Sequence, residues 1–230
     1  MITTAEAVEK FTKKTVPQLK AYAKKIALSK FQMNTHCIGD SANRFILNLY
    51  NKVLGNNIDR RWRIEHAQVV NPADTALFKS YNIIPSVQPT HATSDMNWAI
   101  NRLGNERIKN AYAYQTLLKQ NNWLPLGTDF PVEYVSPFYT FYAAVARQDE
   151  NRKPENGFNF ENALTREQAL KGMTIWAAKA AFEENVKGSI ETNKMADFII
   201  TDIDLLKEKD LLKIRNTKPK QVFINGVKVK

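Results

Sequence analysis

The stretch "NTHCIGDSA", residues 34–42, decides how the chain reads. It lies at the end of an alternation in which Phe31, Met33 and Thr35 interleave with Gln32, Asn34 and His36, the period of a strand. A strand over Phe31–His36 would therefore end on a histidine. Gly39-Asp40 then turns the chain at once into a helix from Ser41 to about Leu54, with Phe45, Ile46, Leu49 and Val53 on one face. A strand, a tight turn and a helix in that order form the unit of a parallel β/α fold. The chain contains three histidines, so the positions of the other two test whether His36 belongs to a site.

The pattern recurs. "RWRIEHAQVV" (61–70) reads as a second strand ending in His66, and "NPADTALFKSY" as a helix capped by Asn71 with Pro72 at its first position. Ile83–Val87 is a third short strand, followed by a loop holding His91 and a polar helical region from about Met96 to Lys119. "NWLPLGTDFPV" supplies a fourth strand, about Leu124–Thr128, ending in Asp129. Helices follow near 136–149 and 165–182, the latter with a capping box of Thr165 and Gln168. Upstream, residues 4–28 read as two helical pieces, the second starting near Val16 with Pro17 in its first turn. After Lys187 the texture becomes strand-like in "GSI", "ADFIITD" and "KQVFINGVKVK", and Asn225-Gly226 is a two-residue hairpin signal. The expected fold class is α/β, with residues 1–185 as β/α units and 186–230 as a small β element.

Composition narrows the function classes. A 43% apolar and 24% charged chain of 230 residues is ordinary for a globular domain, and no run of 18 apolar residues occurs to span a membrane. The N-terminus lacks the apolar block of a secretory signal, and a cytoplasmic location follows only if no signal precedes the chain. The net charge of +10 raises nucleic acid as a partner, but the lysines are scattered and no arginine–aromatic cluster marks a groove. The single cysteine, Cys37, excludes an internal disulfide and reads as a buried, inert thiol. No GxxxxGK[ST], GxGxxG or GxSxG motif is present to anchor a phosphate-loop, dinucleotide or serine-hydrolase reading.

In parallel β/α barrels the working side chains stand at the carboxyl ends of strands. His36, His66 and Asp129 occupy that position, and His91 lies a few residues beyond the remaining strand. A single histidine in such a place is ordinarily structural, and Asp129 alone would serve as a turn cap. Their joint placement is more informative, because imidazole and carboxylate together suit a divalent ion such as zinc. Asp40 and Glu65 stand next to these positions as carboxylates able to orient the ligands.

The segments "NTHCIGDSANRFILNLY", "RWRIEHAQVVNPADTALF", "IIPSVQPTHATSDMNW", "LPLGTDFPVE" and "GSIETNKMADFIITD" together resemble the metal-dependent amidohydrolase superfamily, nearest its N-substituted formamide deformylase-like branch. The resemblance implies the C-terminal half of a (β/α)8 TIM-like barrel, strands 5–8, over residues 1–185. It also implies part of a small β-sandwich over 186–230. It assigns His36 and His66 as metal ligands ending strands 5 and 6. Asp129 becomes a metal ligand and the catalytic proton shuttle at strand 8, and His91 a substrate-binding residue or a secondary metal contact. The implied reaction is hydrolysis of a non-peptide C–N bond, such as an amide, formamide or cyclic amide, by metal-activated water. Zinc is the first-choice metal. The residue just before "KMADFIITD" departs from the family pattern, being Asn193 where glycine is common, although asparagine tolerates positive φ. The family's strand 1 HxH pair and strand 4 ligand have no counterpart in the sequence. The expectation is therefore a C-terminal part of a longer enzyme, incomplete alone, whose partners are a small-molecule substrate and the missing N-terminal half of the barrel. The alternative is a non-catalytic interaction module that self-associates through exposed sheet edges.

Overall fold

The computed structural model describes residues 15–55 and 59–230. The first helical piece expected before Val16 lies outside the described residues. The chain divides into two compact units, one running up to Val87 and including Asn105–Asn122, the other formed by Gln88–Gly104 and Trp123–Lys230. The expected boundary near residue 185 falls inside the second unit.

The first unit begins with α1 (Val16–Ala27), capped by Thr15 and Gln18, whose side chains and backbone amides bond reciprocally, with Pro17 in the first turn. Strands β1 (Asn34–Cys37), β2 (Arg63–His66) and β3 (Ile84–Ser86) follow in a parallel sheet whose spatial order is the chain order. Helix α2 (Asp40–Leu54) connects the first pair of strands and α3 (Thr75–Ser80) the second, after a short 3-10 turn capped by the Asn71 side chain. Alternation along each strand sends one set of side chains toward the helices. Ile64 in β2, with Trp62 just before it, Tyr50 and Leu47 in α2, and Phe78 in α3, are all fully buried. Burial of the Ile64, Leu47 and Phe78 side chains contributes about 1.5–3 kcal/mol each. The Thr35 hydroxyl bonds the Tyr50 phenol and ties β1 to that helix.

Helix α4 (Pro89–Arg107) corrects one expectation. His91 stands in its first turn and not in a loop, because Pro89 starts the helix where a proline costs no hydrogen bond. Gly104, at φ 72 and ψ 169, breaks α4, and the division between the two units falls there. Helix α5 (Tyr114–Asn121) completes the first unit.

In the second unit the expected strand at Leu124–Thr128 does not form, although Leu126 has isolated bridge pairing. Pro125 removes a ladder donor at its centre and Gly127 is a weak strand former. The Leu126 amide instead donates to the Gly172 carbonyl at 3.0 Å. Helix α6 (Pro137–Ala146) buries Phe138, Phe141, Tyr142 and Ala144 against α7 (Arg166–Met173) and a later short helix, α9 (Leu211–Arg215). The capping box expected at Thr165 and Gln168 is present. The helix expected over 165–182 is two, α7 and α8 (Ile175–Ala180), separated at Thr174 by a non-helical backbone. Strands β4 (Phe198–Ile200), β5 (Gln221–Ile224) and β6 (Val227–Lys228) form an antiparallel sheet in which Phe198 stacks on Phe223 at 4.5 Å. Asn225 and Gly226 have φ 49 and 78, the left-handed pair that a tight hairpin requires. Asp197, from the "KMADFIITD" segment, accepts the Asn225 amide at 2.7 Å. Asn193 takes φ 70, the conformation in which it substitutes for glycine. Among the described residues no helix is long and apolar enough to cross a membrane.

Candidate metal centre

The carboxyl ends of β1 and β2 bring two imidazoles together. The rings of His36 and His66 meet edge to face, with centroids 4.4 Å apart and an interplanar angle of 74°. Register alone would not do this. Cys37 opposes His66 and His36 opposes Glu65, so regular alternation would put the two histidines on opposite faces of the sheet. His66 has φ 76 and Ala67 φ 42, and this left-handed exit redirects the His66 ring toward His36. Such a conformation is unfavourable for a side chain with a Cβ, and strain of this kind concentrates at functional sites.

Asn43, fully buried in the first turns of α2, holds these strand exits together. Its amide nitrogen lies within hydrogen-bonding distance of the carbonyls of Gly39 (2.9 Å), Cys37 (3.2 Å) and Val69 (3.2 Å). Asn43 lies outside the strand-end pattern that marks the histidines. Its signal in the sequence is a polar residue spaced three and seven positions from Ile46 and Tyr50, on the buried stripe of the helix. Asp40 accepts from Arg107 at 3.0 Å and from the Ser41 amide at 2.9 Å, while Glu65 accepts from Arg63 at 3.0 Å. Both carboxylates named as ligand-orienting groups thus have guanidinium partners. Burial pushes the Cys37 thiol up to about 12, which leaves it protonated and unreactive at neutral pH.

In the second unit, His91 and Asp129 come together. The His91 Nε2 atom lies 3.2 Å from Asp129 Oδ2, and His91 is buried. Asp129 takes φ 60, a left-handed conformation that aspartate tolerates better than most residues, and the Val132 amide closes the following turn onto the Asp129 carbonyl at 2.8 Å. Glu133, outside the strand-end pattern, places Oε1 3.2 Å from His91 Nδ1 and accepts from the Ser94 hydroxyl at 2.6 Å. Only its place four residues after Asp129 could have flagged it. An imidazole between two carboxylates can hold and pass a proton between fixed points.

The aromatic side chains on or near strand ends and loops fall into two groups. Trp62 is fully buried against Tyr50, and Trp123 lies beneath the Lys179 ammonium, 4.5 Å from its ring centre. Trp98, Phe130 and Tyr134 are exposed.

Comparison with known proteins bears on this geometry. A family model described as "Amidohydrolase family" matches residues 2–229. Protein LONG AFTER FAR-RED 3 of Arabidopsis thaliana is 39% identical over 179 residues, covering 75% of this chain and 30% of that protein. N-substituted formamide deformylase of Arthrobacter pascens is 25% identical over 199 residues, covering 84% of this chain and 35% of the enzyme. Among solved structures, an uncharacterized metal-dependent hydrolase from Pyrococcus horikoshii OT3 superposes with a TM-score of 0.74 at 29% identity, over 84% of this chain and 38% of that one. The chain thus spans about a third of the length of the curated relatives it matches. With a family model covering nearly its whole length, and its α/β fold shared with a metal-dependent hydrolase, the chain belongs to the amidohydrolase family.

Proposed function

We propose that the chain carries the C-terminal share of a metal-dependent amidohydrolase that cleaves a non-peptide C–N bond such as an amide, formamide or cyclic amide. In this reading residues 1–185 are the second half of a (β/α)8 barrel and 186–230 part of a β-sandwich. Support for the barrel comes from the three parallel strands standing in chain order with helical connections, the arrangement of consecutive barrel strands. His36, His66 and Asp129 serve as metal ligands. The donors fit that role: imidazole nitrogens and a carboxylate oxygen suit a borderline divalent ion, zinc first among them. The observation that carries the reading is the contact between the His36 and His66 rings at the ends of adjacent strands, obtained at the expense of a left-handed backbone.

A bound divalent ion would polarise the substrate carbonyl and lower the pKa of water at the site. Asp129 takes the proton of the attacking water and delivers it to the leaving nitrogen, acting first as general base and then as general acid. His91, in contact with Asp129, orients that carboxylate and faces the substrate. Cys37 takes no part, since its buried thiol cannot supply a thiolate nucleophile.

A second reading, self-association or pairing with an N-terminal half, draws on β1, an edge strand of the sheet with Asn34 and His36 exposed. Metal analysis after dialysis against zinc tests the main reading, with a hydrolysis assay on N-substituted formamides and amides run on the chain joined to the N-terminal half of the barrel. The expected result is about one zinc per chain, lost in His66→Ala and Asp129→Ala, and hydrolysis abolished by chelator. Zinc content unchanged in both variants, or hydrolysis that survives the chelator, contradicts it.

A further inference from the structure

We propose that Glu133 is a positioning residue that fixes the ring of His91 so that Nε2 faces Asp129. The inference rests on the reading of Asp129 as the proton-transferring group and adds to it the residue that aims its neighbour. His91 and Ser94 are three residues apart in the first turns of α4, hence on one face of that helix. The turn closed by the Val132 amide on the Asp129 carbonyl reverses the chain and returns Glu133 to this face. One oxygen of Glu133 then meets both residues, at 2.6 Å from Ser94 Oγ and 3.2 Å from His91 Nδ1.

Burial in this segment is inverted. Val132 and Tyr134 are each 71% exposed, whereas the Glu133 side chain between them is only 17% exposed. Hydrophobic burial would favour the opposite arrangement, since a carboxylate loses hydration when enclosed and valine gains by it. The segment accepts that cost while holding the carboxylate against His91. An imidazole with one fixed partner can turn by 180° about its Cβ–Cγ bond, exchanging a nitrogen for a carbon at each edge. A second partner on Nδ1 removes that freedom and leaves Nε2 facing Asp129. Glu133 acts through His91 and touches no reacting atom in this role.

The test uses the full chain labelled with 15N-histidine, whose three imidazoles are assigned by His36→Gln, His66→Gln and His91→Gln. Nuclear magnetic resonance then follows the His91 Nδ1–H signal in Glu133→Ala, Glu133→Gln and Ser94→Ala. The expected result is hydrogen exchange at this site about tenfold faster or more in Glu133→Ala, as for removal of an orienting partner. Glu133→Gln, which keeps an acceptor oxygen, restores slow exchange. Ser94→Ala gives an intermediate rate, and the His36 and His66 signals stay in place throughout. Should Glu133→Ala not fold, Ser94→Ala and Glu133→Gln still decide the matter, because an unchanged rate in the serine variant overturns the proposal. An unchanged His91 signal in Glu133→Ala overturns it, as does a common shift of all three rings, which marks a general structural role. The measurement needs neither metal nor substrate, so its failure is distinguishable from failure of the hydrolase reading.

Discussion

The His66 ring reaches His36 through a left-handed turn of its own backbone, at φ 76, against the side-chain alternation that the strand register dictates. Substitutions at this residue should therefore separate backbone from donor. His66→Asn, which tolerates positive φ, should fold within about 1 kcal/mol of the wild type yet bind zinc at least about tenfold more weakly. His66→Val should bind as weakly and also lose about 1–3 kcal/mol of stability, because a β-branched side chain is disfavoured there. Calorimetric zinc titration and urea denaturation measure the two effects.

Gly172 lies where α7 meets the extended segment leading to Asp129. A Cβ at Gly172 would stand 2.5 Å from Leu126 Cγ and 3.0 Å from the Leu124 carbonyl oxygen. In an open helix Gly→Ala would stabilise by about 0.5–1 kcal/mol. Here the crowding should win, with a net loss of about 1–3 kcal/mol in urea denaturation. Leu126→Ala should recover part of that loss in the double variant, because it removes the atoms in the way.

Cys37 makes stability depend on alkaline pH. Its pKa rises from 9.0 to about 12 on folding because the thiol is buried. Above pH 9 the unfolded chain gives up that proton while the folded chain keeps it, so unfolding is favoured as pH rises. The contribution of this group is complete below pH 9 and is lost between 9 and 12, at up to about 1.4 kcal/mol per pH unit. Burial raises the Tyr50 phenol as well, which adds a further loss at higher pH. Denaturation midpoints measured from pH 8 upward should fall less steeply in Cys37→Ala than in the wild type.

Arg44 in α2 brings Nε within 3.0 and 2.8 Å of the two carboxylate oxygens of Asp74, which is buried before α3. The arginine side chain is half exposed, so the pair is partly screened. Arg44→Gln should cost about 1 kcal/mol, chiefly by leaving a buried carboxylate without its charged partner. A double-mutant cycle with Asp74→Asn should return a coupling of about the same size.

Much of this architecture was legible in the residues because local chemistry specifies it. Thr15 with Gln18, and Thr165 with Gln168, mark helix starts through reciprocal hydrogen bonds. Asn225-Gly226 marks a turn because both positions need positive φ. The strand-end positions of His36 and His66 followed from alternation over a few residues. What escaped depends on long-range geometry. Leu124–Thr128 has the apolar content of a strand, but Pro125 interrupts the donors that pairing needs. His91, just past the third strand, reads as a loop residue, whereas Pro89 initiates a helix there. Glu133 acquires its partners only when the turn after Asp129 folds back onto α4, which no local pattern around it encodes.

Anomalous diffraction from zinc-soaked crystals of this chain would locate the ion itself. A zinc peak is expected about 2.0–2.2 Å from nitrogens of His36 and His66 and from an Asp129 carboxylate oxygen. Zinc peaks confined to other side chains, with these three residues bare, would contradict it.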